Sequence, residues 1–418
     1  MKLNQVKQFN LEDKDGAIFI MPRSSGAWVG AEALWITVAG WSLAAKRKWG
    51  NAWVITSDRI AQAEEVIHYP LVNPKSSVSR GNSGLKKWIP LFFKTVAKDI
   101  SLWMKSRDWD VLESKPWSNH KIAFVWQQHD LFPGPGHRLA RELNVPLVTY
   151  VHAPVVWETA KWGVKRYGWG KLLEQFIEAR SLRESDIVAC VSEEVAEKLI
   201  QMGVESEKIL VSPMAIDPFL FEQAYTGNQI RKELGLENNI VIGWTGSFRS
   251  FHGLDLLIQA FKEVHSDQPN SRLLLVGDGS ERKPLEKLVS EMRLSDAVIF
   301  TGRQPFAKIP SYISIFDIAV VSARSAEGFH YSPLKLREYL AAGKPVLAPY
   351  AGDIPHTFKD DFHLKLYTVG NERELVDKLK EFINHPAESI ILGEHGKKFV
   401  LDTGTWDHEL MKVTKKLA

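Results

Sequence analysis

The 418-residue chain is poor in cysteine, in net charge and in long apolar runs, and each shortage excludes a class of protein. Its single cysteine, Cys190, rules out an internal disulfide and a cysteine-based zinc cluster, and its apolar context predicts a core position. A formal net charge of +3 gives no case for a nucleic-acid partner. No apolar run approaches the ~20 residues of a membrane span, and the polar N-terminus lacks a signal region. A reducing, cytoplasmic location is therefore the expectation.

The chain also lacks two short motifs that handle phosphates. The turn after the first predicted strand contains no Gly-x-Gly-x-x-Gly and has no acidic residue at the right distance, which excludes a dinucleotide fingerprint. No Asp-x-Asp triad is placed to hold a metal-bridged diphosphate, because the nearest such pair, Asp13 and Asp15, precedes that strand. We therefore expect neither a metal site nor a bound cofactor.

What the chain does contain is an ordinary globular composition and a regular alternation of strands and helices. Hydrophobic residues make up 44% of the chain and charged residues 25%, which is enough to build large cores. Strand 17–21, a glycine-bearing turn, helix 29–48 and strand 52–56 form a βαβ unit of a parallel sheet. A second set of strands, each running into a glycine turn, covers 239–246, 272–277 and 298–302. The sequence thus predicts an α/β fold with two Rossmann-like, doubly wound halves.

One stretch, residues 326–346, combines a loop, a helix start and a glycine stop. Ser332 can cap the first turn and Pro333 suits the first helical position, while Gly343 ends the helix before an apolar strand. Lys335 falls in the first turn, where a cation opposes the helix dipole unless an anion docks between it and the free amides. Glu338, one turn further on, suits a ribose hydroxyl. From the residues alone, an ordinary amphipathic helix with a Ser-Pro start is equally open.

This stretch resembles the C-terminal signature of the retaining family 4 glycosyltransferases, which have the GT-B fold. Residues 337–346, Arg-Glu-Tyr-Leu-Ala-Ala-Gly-Lys-Pro-Val, match the family's helix, and Glu338 falls at the second glutamate of its paired-glutamate motif. Counting back across the usual seven residues lands on His330, whereas Glu327 stands in the family's Glu-Gly-Phe context ten residues before Glu338. A three-residue expansion of the loop, carrying residues 331–333, accounts for the difference between ten intervening residues and the usual seven. It leaves Glu327 and His330 as alternatives for the catalytic residue that meets the donor sugar.

The resemblance covers nearly the full length and implies two Rossmann-like domains facing each other across a cleft. It places an N-terminal, acceptor-side domain at 1–215 and a nucleotide-sugar-binding domain at 216–400. A crossing helix, 401–418, would then pack back on the first domain.

The resemblance also implies a set of site residues. His152, which ends the apolar strand beginning at Val145, is offered to the sugar as a catalytic residue, and the backbone of Gly26 and Ala27 approaches the donor or acceptor. From the residues alone, a satisfied buried histidine and a tight turn are the alternatives. The remaining contacts, to the donor's nucleotide and diphosphate, are Gly246, Arg249, His252, Gly302, Arg303, Ser332, Lys335 and Glu338. Ser247 and His252 occupy positions where the family usually has arginine and lysine, and Arg249, a good bidentate phosphate ligand, is displaced by two.

The implied activity is a metal-independent, retaining hexosyl transfer from a nucleotide-diphosphate sugar. The acceptor would be a glycan, a glycolipid, a lipid-linked precursor or another hydroxyl compound, with surface-polysaccharide biosynthesis as the setting. Two alternatives keep the same fold and change the role. One is a sugar-nucleotide epimerase, and the other is a non-catalytic sugar-nucleotide-binding protein.

Two stretches rich in aromatic and basic residues admit two interpretations. Residues 85–107 predict a helix whose lysines scatter among apolar side chains, and residues 157–171 combine aromatic and basic residues with three glycines. Either stretch could rest on an anionic membrane face. The alternatives are a core-facing helix for the first and an aromatic-lined loop for the second. A peripheral position at the inner face of a membrane is thus a variant of the cytoplasmic expectation.

Overall fold

The computed structural model describes residues 8–28, 32–66, 91–161, 163–222, 227–327, 329 and 332–418. The chain forms two compact units. The N-terminal unit comprises 1–213 together with 406–418, and the C-terminal unit comprises 214–405. The two predicted boundaries, after 215 and after 400, therefore each fall a few residues away from the observed ones.

The N-terminal unit contains one seven-stranded sheet. Its strands are β1 (Gly16–Ile20), β2 (Asn51–Thr56), β3 (Arg59–Gln62), β4 (Ile122–Gln128), β5 (Leu147–Val151), β6 (Ile187–Cys190) and β7 (Ile209–Val211). Their order is β3-β2-β1-β4-β5-β6-β7, and all pairs are parallel except β2 with β3. Every residue of β1 and β4 is buried, as expected for central strands covered on both faces. Cys190 is buried in this sheet.

Helices cover this sheet on its two faces. They are α1 (Glu32–Trp49), α2 (Ala63–Val66), α3 (Leu91–Lys105), α4 (Gly136–Leu143), α5 (Val155–Lys161), α6 (Trp169–Leu172), α7 (Ala179–Arg183) and α8 (Glu193–Gln201). A π-helical turn, Leu173–Glu178, joins α6 to α7. The stretch 157–171 is therefore partly helical rather than a loop throughout. Of the helix predicted at 85–107, residues 91–105 are helical and 85–90 lie outside the described residues.

The C-terminal unit contains a six-stranded, all-parallel sheet. Its strands are β8 (Ile240–Ser247), β9 (Ser271–Asp278), β10 (Val298–Gly302), β11 (Ile318–Val320), β12 (Val346–Pro349) and β13 (Lys365–Tyr367), in the order β10-β9-β8-β11-β12-β13. Successive side chains of a strand enter different cores, as the two-residue period requires. Val241 belongs to one cluster of buried apolar residues and Ile242 to the other. The prediction of two doubly wound parallel-sheet domains is confirmed.

The helices of this unit follow the same alternation. They are α9 (Phe219–Glu222), α10 (Gly227–Glu233), α11 (Leu254–Asp267), α12 (Arg282–Glu291), α13 (Ile309–Ser314), α14 (Leu334–Ala341), α15 (Ile354–Thr357), α16 (Glu372–Asn384) and α17 (Pro386–Thr403). None of the helices in the described ranges is long and apolar enough to cross a membrane.

The chain returns to the N-terminal unit through its last helix, α18 (Trp406–Leu417). The prediction of a single crossing helix at 401–418 is wrong in its start, because residues 401–403 end α17 and Gly404 separates α17 from α18. Trp406 is buried against Trp41 of α1, with ring centroids 6.0 Å apart. The approach requires a glycine at position 40, where a Cβ would lie 2.1 Å from the Trp406 indole nitrogen.

Candidate functional site

The switch point of each doubly wound sheet is where the strand order reverses, and ligands of such sheets bind at the carboxyl ends of the strands there. In the C-terminal unit the reversal lies between β8 and β11. The loop after β8 and the segment that connects β11 to α14 both leave this edge. Lys335 and Glu338 are on the first turns of α14.

Lys335 has an unusual environment for a lysine. Its Nζ is buried and makes no hydrogen bond with any described residue. It lies 3.6 Å from the centroid of the Trp244 ring, in cation–π geometry. Gly246, in β8, leaves the space that the amine occupies, since a Cβ there would lie 2.9 Å from Nζ. The amine is therefore held on an aromatic face beside the backbone of Gly246, and no carboxylate of the described residues forms an ion pair with it.

Burial also determines the ionisation of this pair. Loss of solvation lowers the pKa of Lys335 well below its usual value, and the nearby Glu338 only partly opposes that change. Burial raises the pKa of Glu338 to about 7, against the opposing effect of Lys335. For both groups, the loss of solvation thus disfavours the charged form. An anion docking on Lys335 would favour its charged form again.

Tyr339 ties α14 to the end of β8. Its hydroxyl accepts a hydrogen bond from the Thr245 backbone N–H at 2.6 Å and lies 3.0 Å from the Thr245 Oγ1. Tyr339 is fully buried, and burial raises its pKa. The link fixes the first turns of α14 against the strand that carries Trp244 and Gly246. It positions Lys335 relative to its aromatic support.

The loop after β8 carries His252 and Arg249. Together with Lys335, Glu338 and Trp244 they form what we call the cluster at the end of β8. His252 is buried against the rings of Trp244 and Phe251, at centroid distances of 5.3 and 4.3 Å. Burial, together with the positive charges of Lys335 and Arg249, lowers the pKa of His252 to about 2. The imidazole is therefore neutral at physiological pH. Arg249 itself is exposed and precedes a short 3-10 turn, so its guanidinium is open to a ligand.

Two glycines allow the strand ends beneath this cluster to approach each other. Gly246 and Gly277 are paired neighbours in β8 and β9, with φ of +138° and +144°. A Cβ on Gly277 would lie 1.8 Å from the Gly246 carbonyl oxygen. A side chain at either position would therefore distort the floor of the cluster.

The remaining predicted residues of this unit lie in different situations. Ser332 does not cap α14: Pro333 is the N-cap residue, its backbone is extended (ψ 110°), and no side-chain cap bond is made. Glu327 is exposed, and its backbone N–H bonds to the Ser325 hydroxyl at 3.0 Å. His330 lies outside the described residues. Gly302 ends β10 with φ +73°, next to an exposed Arg303.

In the N-terminal unit, His152 follows β5 directly. Its Nε2 is buried and has no hydrogen-bond partner in the described part of the chain. The ring packs edge-on to Tyr150, at a centroid distance of 5.3 Å. Burial lowers the pKa of His152 to about 4, so it too is neutral at physiological pH. An uncharged ring with a free polar atom suits a hydrogen bond to a neutral ligand group.

A buried carboxylate fixes the segment that follows His152. Glu178 is fully buried and accepts hydrogen bonds from the backbone N–H groups of Val155 and Val156, at the start of α5. It also pairs with the ring of His129 at 2.8 Å. Glu178 thus acts as an N-terminal cap supplied from another helix. We regard it as a positioning residue for the His152 loop.

Gly26 and Ala27 lie in an exposed 3-10 turn after β1. Among the described residues, no atom lies within 4 Å of the position that a Cβ at Gly26 would take, so their packing does not require glycine there. Next to the turn, Arg23 forms a two-pronged ion pair with Asp130 at 2.5 Å, which links the segments after β1 and β4. These strands flank the switch point of the N-terminal sheet.

Sequence reasoning missed several residues of both sites. Trp244 reads as a core residue of an apolar strand, and nothing in its neighbours indicates an aromatic support for a lysine. Tyr339 directly follows Glu338 but belongs to the ordinary apolar pattern of the helix. The pair His129 and Glu178 joins positions 49 residues apart. Only the tertiary structure shows these contacts.

The chain has two Rossmann-like units, each with candidate ligand-binding residues at the switch point of its sheet. Solved structures share this fold over nearly the whole chain. Sucrose-phosphate synthase from Thermosynechococcus elongatus superposes with a TM-score of 0.64 at 18% identity, covering 96% of this chain and 98% of that one. HepE from Anabaena, in complex with UDP, gives a TM-score of 0.61 at 17% identity, covering 96% and 99%. Both are GT-B glycosyltransferase structures.

Family profiles and relatives complete the identification. The profile of "Glycosyl transferases group 1" matches residues 227–399, and that of "Glycosyltransferase Family 4" matches 70–218. The 2-deoxystreptamine glucosyltransferase of Streptomyces kanamyceticus is 28% identical over 54% of this chain and 58% of its own length. The alpha-monoglucosyldiacylglycerol synthase of Acholeplasma laidlawii is 26% identical over 52% and 54%. The chain spans about half the length of the curated relatives it matches. It belongs to the family 4 glycosyltransferases of GT-B fold.

Proposed function

We propose that the protein transfers a hexosyl unit from a nucleotide-diphosphate sugar to a hydroxyl acceptor, with retention of the anomeric configuration and without a metal ion. The observation that carries the proposal is Lys335, a buried amine with no hydrogen-bond partner in the described residues, held beside Gly246 at the β8–β11 switch point. Burying such a group is unfavourable unless a ligand satisfies it. A diphosphate supplies the opposite charge.

In the C-terminal unit we assign each candidate residue a role. Lys335 and Arg249 neutralise the diphosphate, with the free backbone amides at the start of α14. Glu338 accepts hydrogen bonds from ribose hydroxyls. β10 lies two strands from β8, which is roughly 10 Å at the usual strand spacing. That separation suits a nucleoside whose phosphates lie at Gly246 and whose base meets Gly302 and Arg303.

The sugar-facing roles are assigned to His152 and to the loop at Glu327 and His330. Since burial holds the pKa of His152 at about 4, the neutral ring can form a hydrogen bond to a sugar hydroxyl or carbonyl without adding charge. Glu327 carries the family's Glu-Gly-Phe context and is exposed, so it is free to meet a ligand. Arg249 and Lys335 supply charge where the leaving diphosphate develops it, which removes the need for a metal.

The donor can be found with a panel of UDP-, GDP- and ADP-hexoses, read out by release of the nucleoside diphosphate with and without acceptor. HepE was solved with UDP-glucose, which makes UDP-glucose the first candidate. Proton NMR of the product gives the anomeric configuration. Donor isomerisation without release would indicate an epimerase, and binding without turnover would indicate a non-catalytic module. Either result contradicts the proposal.

The proposed acceptor is a glycan or a lipid-linked compound in glycolipid or surface-polysaccharide synthesis. The relatives include a glucosyldiacylglycerol synthase, a phosphatidylinositol monomannoside mannosyltransferase of Mycolicibacterium smegmatis and a lipopolysaccharide N-acetylglucosaminetransferase of Salmonella typhimurium. Their acceptors differ, so the class is supported and the individual compound is left to assay.

We also propose a peripheral membrane contact through the N-terminal unit. Large apolar side chains of α3 and of the segment from 167 to 176 are exposed: Phe92, Phe93, Ile100, Trp103, Met104, Tyr167, Leu172 and Phe176. We call this set the apolar face. Phe92 contacts both Tyr167 and Trp169, which joins the two segments. Lysines 94, 98, 105 and 171 lie in the same segments and Lys165 lies two residues before the second, as in helices that rest on anionic bilayers.

Vesicle flotation tests the membrane contact. Phe93 is 59% exposed, so Phe93→Ser should lower vesicle binding without affecting the fold. Ile390, 62% exposed on the C-terminal unit, provides a matched control, Ile390→Ser. Equal flotation of both variants and the parent would contradict the contact.

A further inference from the structure

A groove of about 610 Å³ opens in the N-terminal unit, and neither the proposed transfer nor the resemblance assigns it a role. Its walls come from the end of α3, the loop after β4, α4, and the π-helical turn with α7. All of these segments belong to the same unit. It is large enough for a polar headgroup of the glycerophosphate type.

The groove is basic. Four arginines line it (Arg107, Arg138, Arg141 and Arg180) together with two glutamates, Glu142 and Glu184. Glu184 forms ion pairs with both Arg180 and Arg141, with nitrogen–oxygen distances of 2.9 and 3.5 Å. Arg138 pairs with Glu142 at a nitrogen–oxygen distance of 3.7 Å. The positive charge therefore exceeds the negative charge within the groove. Guanidinium groups are the side chains best suited to bind phosphate oxygens in pairs.

The groove is continuous with the apolar face. Trp103 and Phe176 belong to that face, at 44% and 59% exposure, and they also line the groove. The Arg107 guanidinium lies over the Trp103 ring, 4.5 Å from its centroid. A cation is thus held where the apolar side chains end and the basic walls begin. Aromatic residues beside arginines are typical of the interfacial depth of a bilayer, where lipid phosphates lie.

We propose that this groove binds the phosphate-bearing headgroup of an anionic membrane lipid, while the apolar face rests in the bilayer. The proposal builds on the membrane contact described above and adds a specific headgroup site to it. It is separate from the nucleotide site, which lies in the other unit. The role is to hold the enzyme at anionic membrane and to fix its orientation there.

The test uses the full-length protein and flotation with vesicles of phosphatidylcholine, with or without phosphatidylglycerol. The double variant Arg107→Gln/Arg141→Gln should lose roughly thirtyfold in binding to the anionic vesicles, at the usual contribution of a basic residue near such a surface. Binding to neutral vesicles should not change. The control, Lys287→Gln/Arg373→Gln, removes two comparably exposed cations from the C-terminal unit and should retain parental binding.

A charge-conserving variant separates a built site from diffuse attraction. Arg107→Lys/Arg141→Lys keeps the charge and loses the paired donors, so it should bind anionic vesicles several-fold more weakly than the parent. Parental binding by this variant would overturn the headgroup site and leave only general attraction. Equally tight binding of free glycerol phosphate, without vesicles, would overturn the membrane source.

Failure of the groove can be distinguished from failure of the earlier proposals. If the parent floats with neither vesicle, the membrane contact is wrong and the groove proposal falls with it. If Phe93→Ser loses flotation while the arginine variants do not, the contact stands and the groove is refuted. Transfer to a water-soluble acceptor should be the same in the parent and in the arginine variants. Loss of that activity would show that the groove belongs to the catalytic machinery and refute a purely membrane role.

Discussion

Replacing Lys335 by methionine should make the C-terminal unit more stable while removing its function. The Nζ is buried, lies 3.6 Å from the Trp244 ring centroid and makes no hydrogen bond with the described residues. An unsatisfied buried polar group costs about 1–3 kcal/mol, and the cation–π contact returns about 1 kcal/mol. Methionine has a similar length and no such group. The free protein should therefore gain about 1 kcal/mol in the free energy of unfolding.

Thermal unfolding with and without nucleoside diphosphate measures both effects. A gain of this size raises the Tm of a domain of this size by about 2–4 °C. Nucleoside diphosphate should raise the Tm of the parent and have little effect on Lys335→Met. Turnover should fall by the roughly 10²–10³-fold that one such donor to a leaving group supplies.

Lys344 provides the matched control for this experiment. Its Nζ is partly buried in the same unit but donates a hydrogen bond to the Ser314 carbonyl at 2.6 Å. Lys344→Met should therefore lose about 1 kcal/mol of stability and keep nucleotide binding. If Lys335→Met were destabilised and still bound nucleoside diphosphate as the parent does, the assignment of Lys335 to the phosphates would be refuted.

Three further predictions concern the same sites. Glu338→Gln should weaken nucleoside diphosphate binding by ~1–3 kcal/mol. Because a bound anion raises the depressed pKa of Lys335, this variant should also take up a proton on binding and bind more tightly as the pH falls. Calorimetry in buffers of different ionisation enthalpy measures the proton uptake. In the parent, Glu338, with its pKa of about 7, can supply that proton, so the uptake should be smaller. His152→Ala should lower turnover by ~10²-fold or more with nearly unchanged nucleotide affinity. In the parent, the NMR signal of the His152 ring should stay that of the neutral form down to about pH 5. A titration midpoint of His152 near pH 6.5 would contradict its burial. Turnover should persist in EDTA; loss of activity that manganese restores would contradict metal independence.

The alternation of strands and glycine turns was enough to predict two parallel sheets, because the central strands of each sheet are buried and mostly apolar. The stop of α14 at Gly343, with φ +69°, also follows from the sequence. Its start does not, because Pro333 takes an extended ψ and the helix begins one residue later than predicted. A glycine that follows a helical pattern of apolar residues predicts the end of a helix, so the break at Gly404 was predictable from the sequence although we did not predict it.

The site was harder to predict, because its unusual features arise from contacts between distant positions. Lys335 and Glu338 are neighbours on a helix, so their proximity follows from the spacing alone. Trp244 lies 91 positions before Lys335, and Thr245 lies 94 before Tyr339. No local pattern contains those pairs. The sequence therefore identifies which residues could bind a nucleotide, while the burial that makes Lys335 depend on a ligand is a property of the folded unit.

His252 shows how this chain differs from the pattern that it resembles. The family usually has a lysine there, whereas here a buried imidazole packs against Trp244 and has its pKa lowered to about 2. A protonated His252 would lie near two cations in a poorly solvated place, so burial and the positive charges of Lys335 and Arg249 both keep it neutral. The positive charge that the described residues offer to a diphosphate is thereby concentrated on Lys335 and Arg249. Since Arg249 is exposed and Lys335 is buried, their contributions should respond differently to salt: added salt screens the arginine strongly and the lysine little. The buried amine, supported by Trp244 and fixed through Tyr339 and Thr245, is therefore the part of the site whose effect on the leaving group should persist at high ionic strength.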